Sequence, residues 1–321
     1  MVREGDKGMG VPIDIAARDP RVVIITDEPG WHGRELKRVF AARGHPGEYV
    51  SSLACHLDLS GAPPRIVIPT FDLLPSGVFV RGIPGGTLEQ VILRLDILHA
   101  LREMGVRVYN DARAIERTVD KAMTSFLLKR AGLPTPETWI CESPTQARAV
   151  VIAQTGRGRR LIAKPLFGSQ GIGVRLIESP ADLADEEGLN GVYYLQEFVE
   201  RIGSEWCDLR VFVIGGQAVA GMYRRNARHW LTNRAQGGDC AALPLDGELS
   251  RLAVAAARAV DIDYAGVDLM PLRGGGYTVT EVNSIPAWQG LQTVTSVDLA
   301  ARLADHFFAR IAADAPLQAL P

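Results

Sequence analysis

The sequence predicts a small α/β unit followed by an α+β region, because the chain's pattern changes near residue 110. Before that point, short β-branched runs alternate with helical apolar spacing, as in parallel βαβ units. After it, strand-like runs flank glycine turns, which is typical of antiparallel hairpins. A length of 321 residues is enough for about two domains with packed cores.

In the first region, strands are predicted at residues 21–26, 65–69 and 106–109, with a helix over 34–43. A second helix is expected between Thr87, a good N-cap, and Gly105, a good helix stop, because apolar residues recur between them at helical spacing. We therefore expect a mainly parallel α/β domain over residues 21–110, preceded by a flexible tail over 1–20.

In the second region, helices are predicted over 114–130, 248–260 and 297–312, and strands at 161–165, 174–177 and 191–196. Hairpins are predicted from 209–214 with 217–224, and from 266–270 with 277–282. These elements suggest a central unit over residues 111–195 and a C-terminal unit over 196–321.

Composition excludes several classes of protein. Lys and Arg number 35 and Asp and Glu 37, so the net charge of −2 gives no footprint for non-specific nucleic-acid binding. No apolar run is long enough to span a membrane, and the four cysteines lack the spacing of a zinc site. We expect a cytoplasmic protein with reduced thiols and without a nucleic-acid or membrane partner.

A glycine-rich loop follows the strand that ends at Lys164. Residues 164–173 read Lys-Pro-Leu-Phe-Gly-Ser-Gln-Gly-Ile-Gly. Such a loop lets backbone N–H groups approach phosphate oxygens, and the lysine adds a positive charge. The alternative is an ordinary flexible hairpin loop with a surface lysine.

Oxygen-bearing side chains lie on the last predicted hairpin. Alternation places Glu281 and Asn283 on one strand face, and Asp268 on the adjacent strand can lie beside them. Two carboxylates and an amide oxygen suit Mg²⁺, which also binds phosphate oxygens. The alternative is an exposed polar strand face.

Arginines form the third candidate group. Arg210, Arg224, Arg225, Arg228 and Arg234 precede the glycine pair at 237–238. Guanidinium groups can hold carboxylates or a phosphoryl group during its transfer, and the alternative is a solvated basic surface. We expect two or three of the five to be functional.

These motifs, in this order, resemble the ATP-grasp superfamily and, within it, the RimK-like glutamate ligases. The segments that carry the resemblance are 120–121, 164–173, 196–199, 208–213, Asn233 with 237–238, 266–268 and 281–284. The resemblance implies an ATP-grasp fold with an N-terminal Rossmann-like pre-grasp domain. It also implies ATP and two Mg²⁺ ions, which Mn²⁺ can replace.

The resemblance assigns roles to individual positions. It places the nucleotide against Lys121, Lys164, Gly168, Ser169, Gln170, Gly171, Gln196, Glu197, Phe198, Val199 and Asp208. It makes Asp268, Glu281 and Asn283 the metal ligands, and Arg210, Lys164 and Asn233 the catalytic residues.

The resemblance implies an ATP-dependent carboxylate–amine ligase that works through an acyl phosphate. Arg224 and Arg225 suit an anionic substrate, and Trp288 offers a flat face for a ring-bearing acid unless it packs in the core. Trp288 also resembles members of the one-carbon-coenzyme branch (tetrahydromethanopterin or methylofuran biosynthesis). We therefore expect glutamate, or a similar amino acid, to be added to a small coenzyme-like acid by a homo-oligomer.

Three alternatives remain: addition of glutamate to a protein C-terminus, a phosphotransferase on the same fold, and a non-catalytic nucleotide-binding regulator. The regulator is disfavoured because all three metal-ligand positions carry oxygen side chains.

Overall fold

The computed structural model describes residues 18–168, 171–183, 190–227, 229–232 and 238–314. Six residues singled out in the sequence lie outside these ranges, namely Ser169, Gln170, Arg228, Asn233, Arg234 and Gly237, as do residues 1–17 of the tail predicted over 1–20. The described chain forms two compact units, residues 18–109 with 307–314, and residues 110–306. None of the helices in these ranges is long and apolar enough to cross a membrane, and the four cysteines are free thiols.

The first unit is built on a parallel sheet. Its elements are β1 (Asp19–Ile25), α1 (Gly30–Ala41), β2 (Gly47–Val50), β3 (His56–Asp58), β4 (Arg65–Val67), β5 (Pro75–Val80), α2 (Leu88–Glu103) and β6 (Arg107–Tyr109). The sheet has the strand order β2-β1-β5-β6, and each pair of adjacent strands is parallel. Phe40, Phe79 and Phe307 pack together in its core. The centroid of the Phe307 ring lies 5.5 Å from that of Phe40 and 5.5 Å from that of Phe79.

One predicted strand of this unit belongs elsewhere. Residues 65–67 form β4, which pairs antiparallel with β3 in a separate two-stranded sheet. The parallel sheet instead takes β2 and β5, which the sequence pattern did not reveal. Strand β5 contains Gly77, where an added Cβ would lie 2.5 Å from Ile311 Cδ1 and 2.9 Å from Phe307 Cζ. Close packing on that glycine explains why β5 lacks a continuous β-branched run.

The ends of α2 are confirmed. Thr87 Oγ1 accepts from the Gln90 N–H, and the Gln90 side chain accepts from the Thr87 N–H, which completes a capping box. Gly105 follows with a φ of +77°, the left-handed conformation that stops a helix.

The second unit contains two antiparallel sheets with helices packed on them. Its elements are α3 (Ala112–Val119), α4 (Lys121–Arg130), β7 (Thr138–Cys141), α5 (Pro144–Thr155), β8 (Leu161–Lys164), β9 (Arg175–Ile177), β10 (Tyr193–Glu197), β11 (Trp206–Ile214), β12 (Gln217–Asn226), β13 (Asp239–Ala242), α6 (Gly247–Val260), β14 (Tyr264–Pro271), β15 (Tyr277–Asn283), α7 (Gln289–Gln292) and α8 (Leu299–Asp314). The last turns of α8, from Phe307, are counted with the first unit.

The strand orders are β7-β10-β8-β9 and β13-β12-β11-β14-β15. Helix α5 contributes Ala147 and Val151 to the apolar core on the first of these sheets. Helix α6 contributes Leu249, Ala253 and Val260 to the core on the second. Each sheet therefore has one face covered by a helix, which leaves the other face available for a site.

The single helix predicted over 114–130 is two helices. Asp120 ends α3 with ψ at 103°, and its side chain accepts from the backbone N–H groups of Ala122 and Met123. Asp120 is thus the N-cap of α4, and apolar spacing alone could not show this break. The consequence is that Lys121 is the first residue of α4.

Candidate active site

A cleft in the second unit collects most of the predicted site. Predicted site residues that line it are Lys121, Lys164, Gly168, Gly171, Gln196, Glu197, Phe198, Val199, Asp208, Arg224, Asp268 and Glu281. Lining residues outside the predicted site include Ile162, Val174, Trp206, Trp230, Leu231, Thr232, Met270 and Thr280.

Two lysines lie at one end of the cleft. Lys121 Nζ donates to the carbonyl oxygens of Leu166 (3.3 Å) and Gly168 (2.8 Å), which ties α4 to the glycine-rich loop. Burial lowers the pKa of Lys121, against the opposing effect of Glu281. Burial also lowers the pKa of Lys164, to about 8, although Glu281 favours the charged form. Two partly desolvated cations make this end of the cleft suited to an anionic ligand.

The glycine-rich loop has the backbone that its sequence predicts. Gly168, Gly171 and Gly173 have φ values of +142°, +74° and +75°. At Gly173 an added Cβ would lie 2.7 Å from Pro165 Cγ, so both the backbone angle and the close packing require glycine.

Aromatic rings form another wall. The Phe198 ring packs edge-on against Trp206 at 5.4 Å and Trp230 at 5.7 Å, and the Arg160 guanidinium lies 4.7 Å from its centroid. Such a wall suits a flat heterocycle. Trp206 could have been found from the sequence, because it lies two residues before Asp208 and strand alternation puts both on one face.

The carboxylates meet as predicted. Strand register places Glu281 directly opposite Asp268 and Asn283 opposite Gly266. Asn283 Nδ2 lies 3.4 Å from Asp268 Oδ2. The register shifts next to Asp268, so that Thr280 is an extra residue in β15. This bulge puts the buried Val279 and Val282 on the core side and leaves Glu281 on the cleft side.

Asp268 is held by two arginines. Arg210 contacts both of its oxygens, with Nε and Nη2 each at 2.7 Å. Arg224 Nη2 lies 3.0 Å from Asp268 Oδ2. Burial by itself would raise the pKa of the Asp268 carboxyl, but the two guanidinium groups outweigh it and hold that pKa below its usual value. Asp268 is therefore ionised and neutralised in place.

Asp208 is the second partner of Arg224. Arg224 donates to it through Nε at 2.6 Å and Nη2 at 2.8 Å, and Thr232 Oγ1 donates to it at 2.6 Å. Asp208 was predicted as a nucleotide contact, and it does line the cleft. Sequence reasoning missed its ion pair, although Arg224 lies opposite it in the hairpin register.

The structure separates the two predicted substrate arginines. Arg224 is buried and donates to the carboxylates of Asp208 and Asp268, so its charge is already compensated within the chain. Arg225 is exposed on the opposite face of β12, where it lies over the Tyr223 ring at 4.7 Å. The two side chains cannot hold the same acid. Arg210 contacts Asp268 from the neighbouring strand and is not among the described residues that line the cleft.

The expectation that Trp288 presents a flat face to the substrate is also wrong. Its side chain is 0% exposed and packs edge-on against Phe212 at 6.1 Å. Trp288 is the largest of the fully buried side chains, and the core alternative is the correct one.

The donor set around Asp268 fits Mg²⁺. Within the described ranges no three His, Cys, Asp or Glu side chains form a metal cluster, but here an amide completes a pair of carboxylates. A carboxylate has about four lone-pair positions, so Asp268 keeps acceptor capacity beyond its arginine contacts. Asp268, Glu281 and Asn283 would supply the hard oxygen ligands that Mg²⁺ prefers.

Comparisons with known proteins identify the family. Residues 118–307 match the sequence profile of the RimK-like ATP-grasp domain. The chain is 35% identical over 234 residues to the tetrahydromethanopterin:alpha-L-glutamate ligase of Methanococcus maripaludis, covering 71% of this chain and 77% of that one. It is 32% identical over 302 residues to a probable alpha-L-glutamate ligase of Parasynechococcus marenigrum, covering 92% of this chain and 63% of that one.

Among solved structures, the ATP-grasp ligase PsnB, complexed with a minimal precursor, Mg and ADP, shares the fold. Its TM-score is 0.69 at 23% identity, over 92% of this chain and 100% of that one. The profile match covers more than half of the chain. This protein belongs to the RimK-like ATP-grasp family.

Proposed function

We propose that this protein is an ADP-forming, ATP-dependent carboxylate–amine ligase. The observation that carries the proposal is the convergence of two lysines, an aromatic wall and the Asp268–Glu281 pair in one cleft. Such a cleft can hold a purine at the aromatic end and a polyphosphate between the lysines and the carboxylates. Membership of the RimK-like ATP-grasp family makes ATP and Mg²⁺ the expected ligands of this cleft. We further propose that two Mg²⁺ ions bind and that Mn²⁺ can replace them.

In the first step, a carboxylate oxygen of the acid attacks the γ-phosphorus of ATP, and the bond to the β–γ bridging oxygen breaks to release ADP. Lys121 and Lys164 hold the phosphate oxygens in line for this attack, and Ser169 and Gln170, which lie outside the described residues, are proposed to bind the same nucleotide. Mg²⁺, held by Asp268, Glu281 and Asn283, would neutralise charge on the transferred phosphoryl group. The product of this step is an acyl phosphate.

In the second step, the amine nitrogen attacks the acyl carbon, loses a proton, and phosphate leaves with its bridging oxygen to give the amide. Arg210 uses two N–H groups on Asp268, and a guanidinium has five, so three remain to stabilise the acyl phosphate. Asn233 is proposed to assist at the same point. Arg224 has no direct role in this scheme and holds Asp208 and Asp268 in place.

We propose L-glutamate as the amine and a small coenzyme-like acid as the acceptor. The tetrahydromethanopterin:alpha-L-glutamate ligase at 35% identity supports this choice. The argument from Trp288 no longer does, because that side chain is buried. The enzyme is further proposed to be a cytoplasmic homo-oligomer, in keeping with its free thiols.

The decisive experiment is a screen of pterin-like, furan-type and peptide acids against the amino acids, with ADP release and product mass as readouts. We expect ADP release that needs both an acid and glutamate, and a product heavier than the acid by one glutamyl residue. A phosphorylated product that forms equally without any amine would instead identify a phosphotransferase. Positional isotope exchange in ATP tests the acyl phosphate, and its absence both with and without the amine would contradict that intermediate.

A further inference from the structure

We propose that Tyr194 is a positioning residue that fixes the Lys164 ammonium through the side chain of Gln196. Lys164 Nζ donates to Gln196 Oε1 at 2.8 Å. Tyr194 is not among the described residues that line the cleft. It lies opposite Lys164 in the strand register, with its ring centroid 5.8 Å from Lys164 Nζ, and its hydroxyl accepts from Gln196 Nε2, so replacing Tyr194 with phenylalanine removes the hydroxyl and keeps the ring. The inference begins from the fact that a glutamine amide can present either its oxygen or its nitrogen to a neighbour.

The two hydrogens on the Gln196 nitrogen both have acceptors. Gln196 Nε2 donates to Thr138 Oγ1 at 3.1 Å and to the Tyr194 hydroxyl at 3.0 Å. With both donors used there, the carbonyl oxygen must face Lys164. A flipped amide would place an NH₂ group against an ammonium and lose both contacts.

The two acceptors, Thr138 Oγ1 and the Tyr194 hydroxyl, each form a further hydrogen bond. Thr138 Oγ1 donates its hydrogen to the carbonyl oxygen of Pro136 at 2.9 Å. The Tyr194 hydroxyl lies 2.7 Å from Ser125 Oγ, a contact in which either hydroxyl can be the donor. From Lys164 through Gln196 to Tyr194, each donated hydrogen is therefore directed away from the lysine.

Burial makes this direction persistent. Tyr194 and Gln196 are each 1% exposed and Ser125 is 8% exposed, so water has little access to replace a contact. Ser125 lies four residues after Lys121 on α4, and residues at that spacing share a helix face. One helix face thus contacts the glycine-rich loop through Lys121 and fixes Lys164 through Ser125, Tyr194 and Gln196.

The effect on nucleotide binding rests on the proposed function, since it assumes that Lys164 contacts phosphate. Removing the Tyr194 hydroxyl leaves one Gln196 donor without an acceptor and allows the amide to turn. Loss of one such hydrogen bond corresponds to about a 3- to 10-fold change in an equilibrium constant. We expect a Tyr194→Phe variant to bind a phosphate ligand more weakly by about that factor.

The test measures binding of Mg·AMPPNP to the full chain by calorimetry for Tyr194→Phe, Gln196→Ala and the double variant. Tyr193→Phe is the matched control, because Tyr193 is buried on the opposite face of the same strand, against the α5 core. We expect weaker binding in Tyr194→Phe, no further loss when that change is added to Gln196→Ala, and unchanged affinity in Tyr193→Phe. Equal losses in the presence and absence of Gln196 would overturn the proposal, as would a wild-type affinity in Tyr194→Phe.

A second measurement separates this inference from the proposed function. The chain has only five lysines, so the Lys164 side chain can be followed by ¹³C NMR and assigned from a Lys164→Arg variant. In the nucleotide-free protein, we expect Tyr194→Phe to shift the Lys164 titration midpoint to lower pH, because the acceptor that favours the ammonium is no longer fixed. An unchanged midpoint contradicts the positioning role, whereas a failure of the wild type to bind Mg·AMPPNP contradicts only the proposed function.

Discussion

Arg224 reaches Asp268 across an intervening strand. Their strands, β12 and β14, are not neighbours but lie on either side of β11, yet Arg224 Nη2 is 3.0 Å from Asp268 Oδ2. The same guanidinium holds Asp208 on β11. One buried guanidinium therefore contacts two carboxylates on neighbouring strands, and together with Arg210 it balances their two negative charges.

Replacing Arg224 with methionine should lower the free energy of unfolding by about 3–5 kcal/mol, because two carboxylates would lose the charge that compensates their burial. Arg225→Met, on the exposed face of the same strand, is the control and should change it by less than about 0.5 kcal/mol. Urea denaturation of both variants provides the comparison. Equal effects would mean that the ion pairs do not stabilise the fold.

Glu281→Gln should abolish ADP release while the melting temperature stays within a few degrees of wild type. Glu281 lies opposite another carboxylate, so removing its charge relieves repulsion within the folded state. Asp268→Asn should also be inactive, but less stable, because it loses the arginine contacts. Near-normal ADP release in Glu281→Gln would exclude its assignment as a metal ligand.

A side chain at position 173 of the glycine-rich loop should clash with Pro165. Gly173→Ala should weaken Mg·ATP binding because its Cβ collides with Pro165 as well as straining the backbone. Gly203→Ala is the matched control, because its φ is +77° but no atom lies within 4 Å of the new Cβ, and it should leave binding unchanged.

Hydrogen exchange in the glycine-rich loop should slow over residues 166–168 and 171–173 when Mg·ATP binds. Unchanged exchange there at saturating nucleotide would argue against a loop that closes on phosphate.

Trp288→Ala should lower the free energy of unfolding by about 3–5 kcal/mol, as expected for deletion of a large buried aromatic side chain. Trp288→Phe should recover part of that loss. Once the acid is known, its KM in the Phe variant should match wild type. A raised KM for the acid at normal stability would restore the substrate role that the buried position argues against.

The first unit should lose stability as the pH falls below neutrality. Burial, with a smaller contribution from Arg81, lowers the pKa of His32 to about 4 from its ordinary 6.5. The unfolded chain therefore binds a proton that the folded state rejects, and the unfolding free energy falls as the pH drops from 6.5 towards 4. His32→Phe should flatten this dependence, measured by urea unfolding at several pH values.

Local signals predicted the elements that depend on local physics. The N-cap at Thr87 and the stop at Gly105 needed only neighbouring residues, and both are confirmed. The β4 strand was assigned to the wrong sheet because a short apolar run does not say which strand it pairs with. Helix spacing likewise continued through Asp120, where a side-chain cap divides the helix.

The candidate site likewise combines features that the sequence could predict with features that it could not. The pairing of Asp268 with Glu281 followed from hairpin register, which alternation fixes. The bridge from Arg224 to Asp268 crosses a strand, and no spacing rule encodes that distance. The burial of Trp288 depends on what packs around it from distant segments, such as Phe212.

Lys121 opens α4, at the end of the helix where the backbone dipole repels a cation. A glutamate there would make a more stable helix by about 0.3–1 kcal/mol. The chain thus gives up helix stability at a position that lines the cleft. Such a loss is typical of residues that serve ligand binding, here the binding of an anion. Engineering for heat resistance by optimising helix-end charges would select against this lysine, so residue 121 should be held fixed in any such redesign.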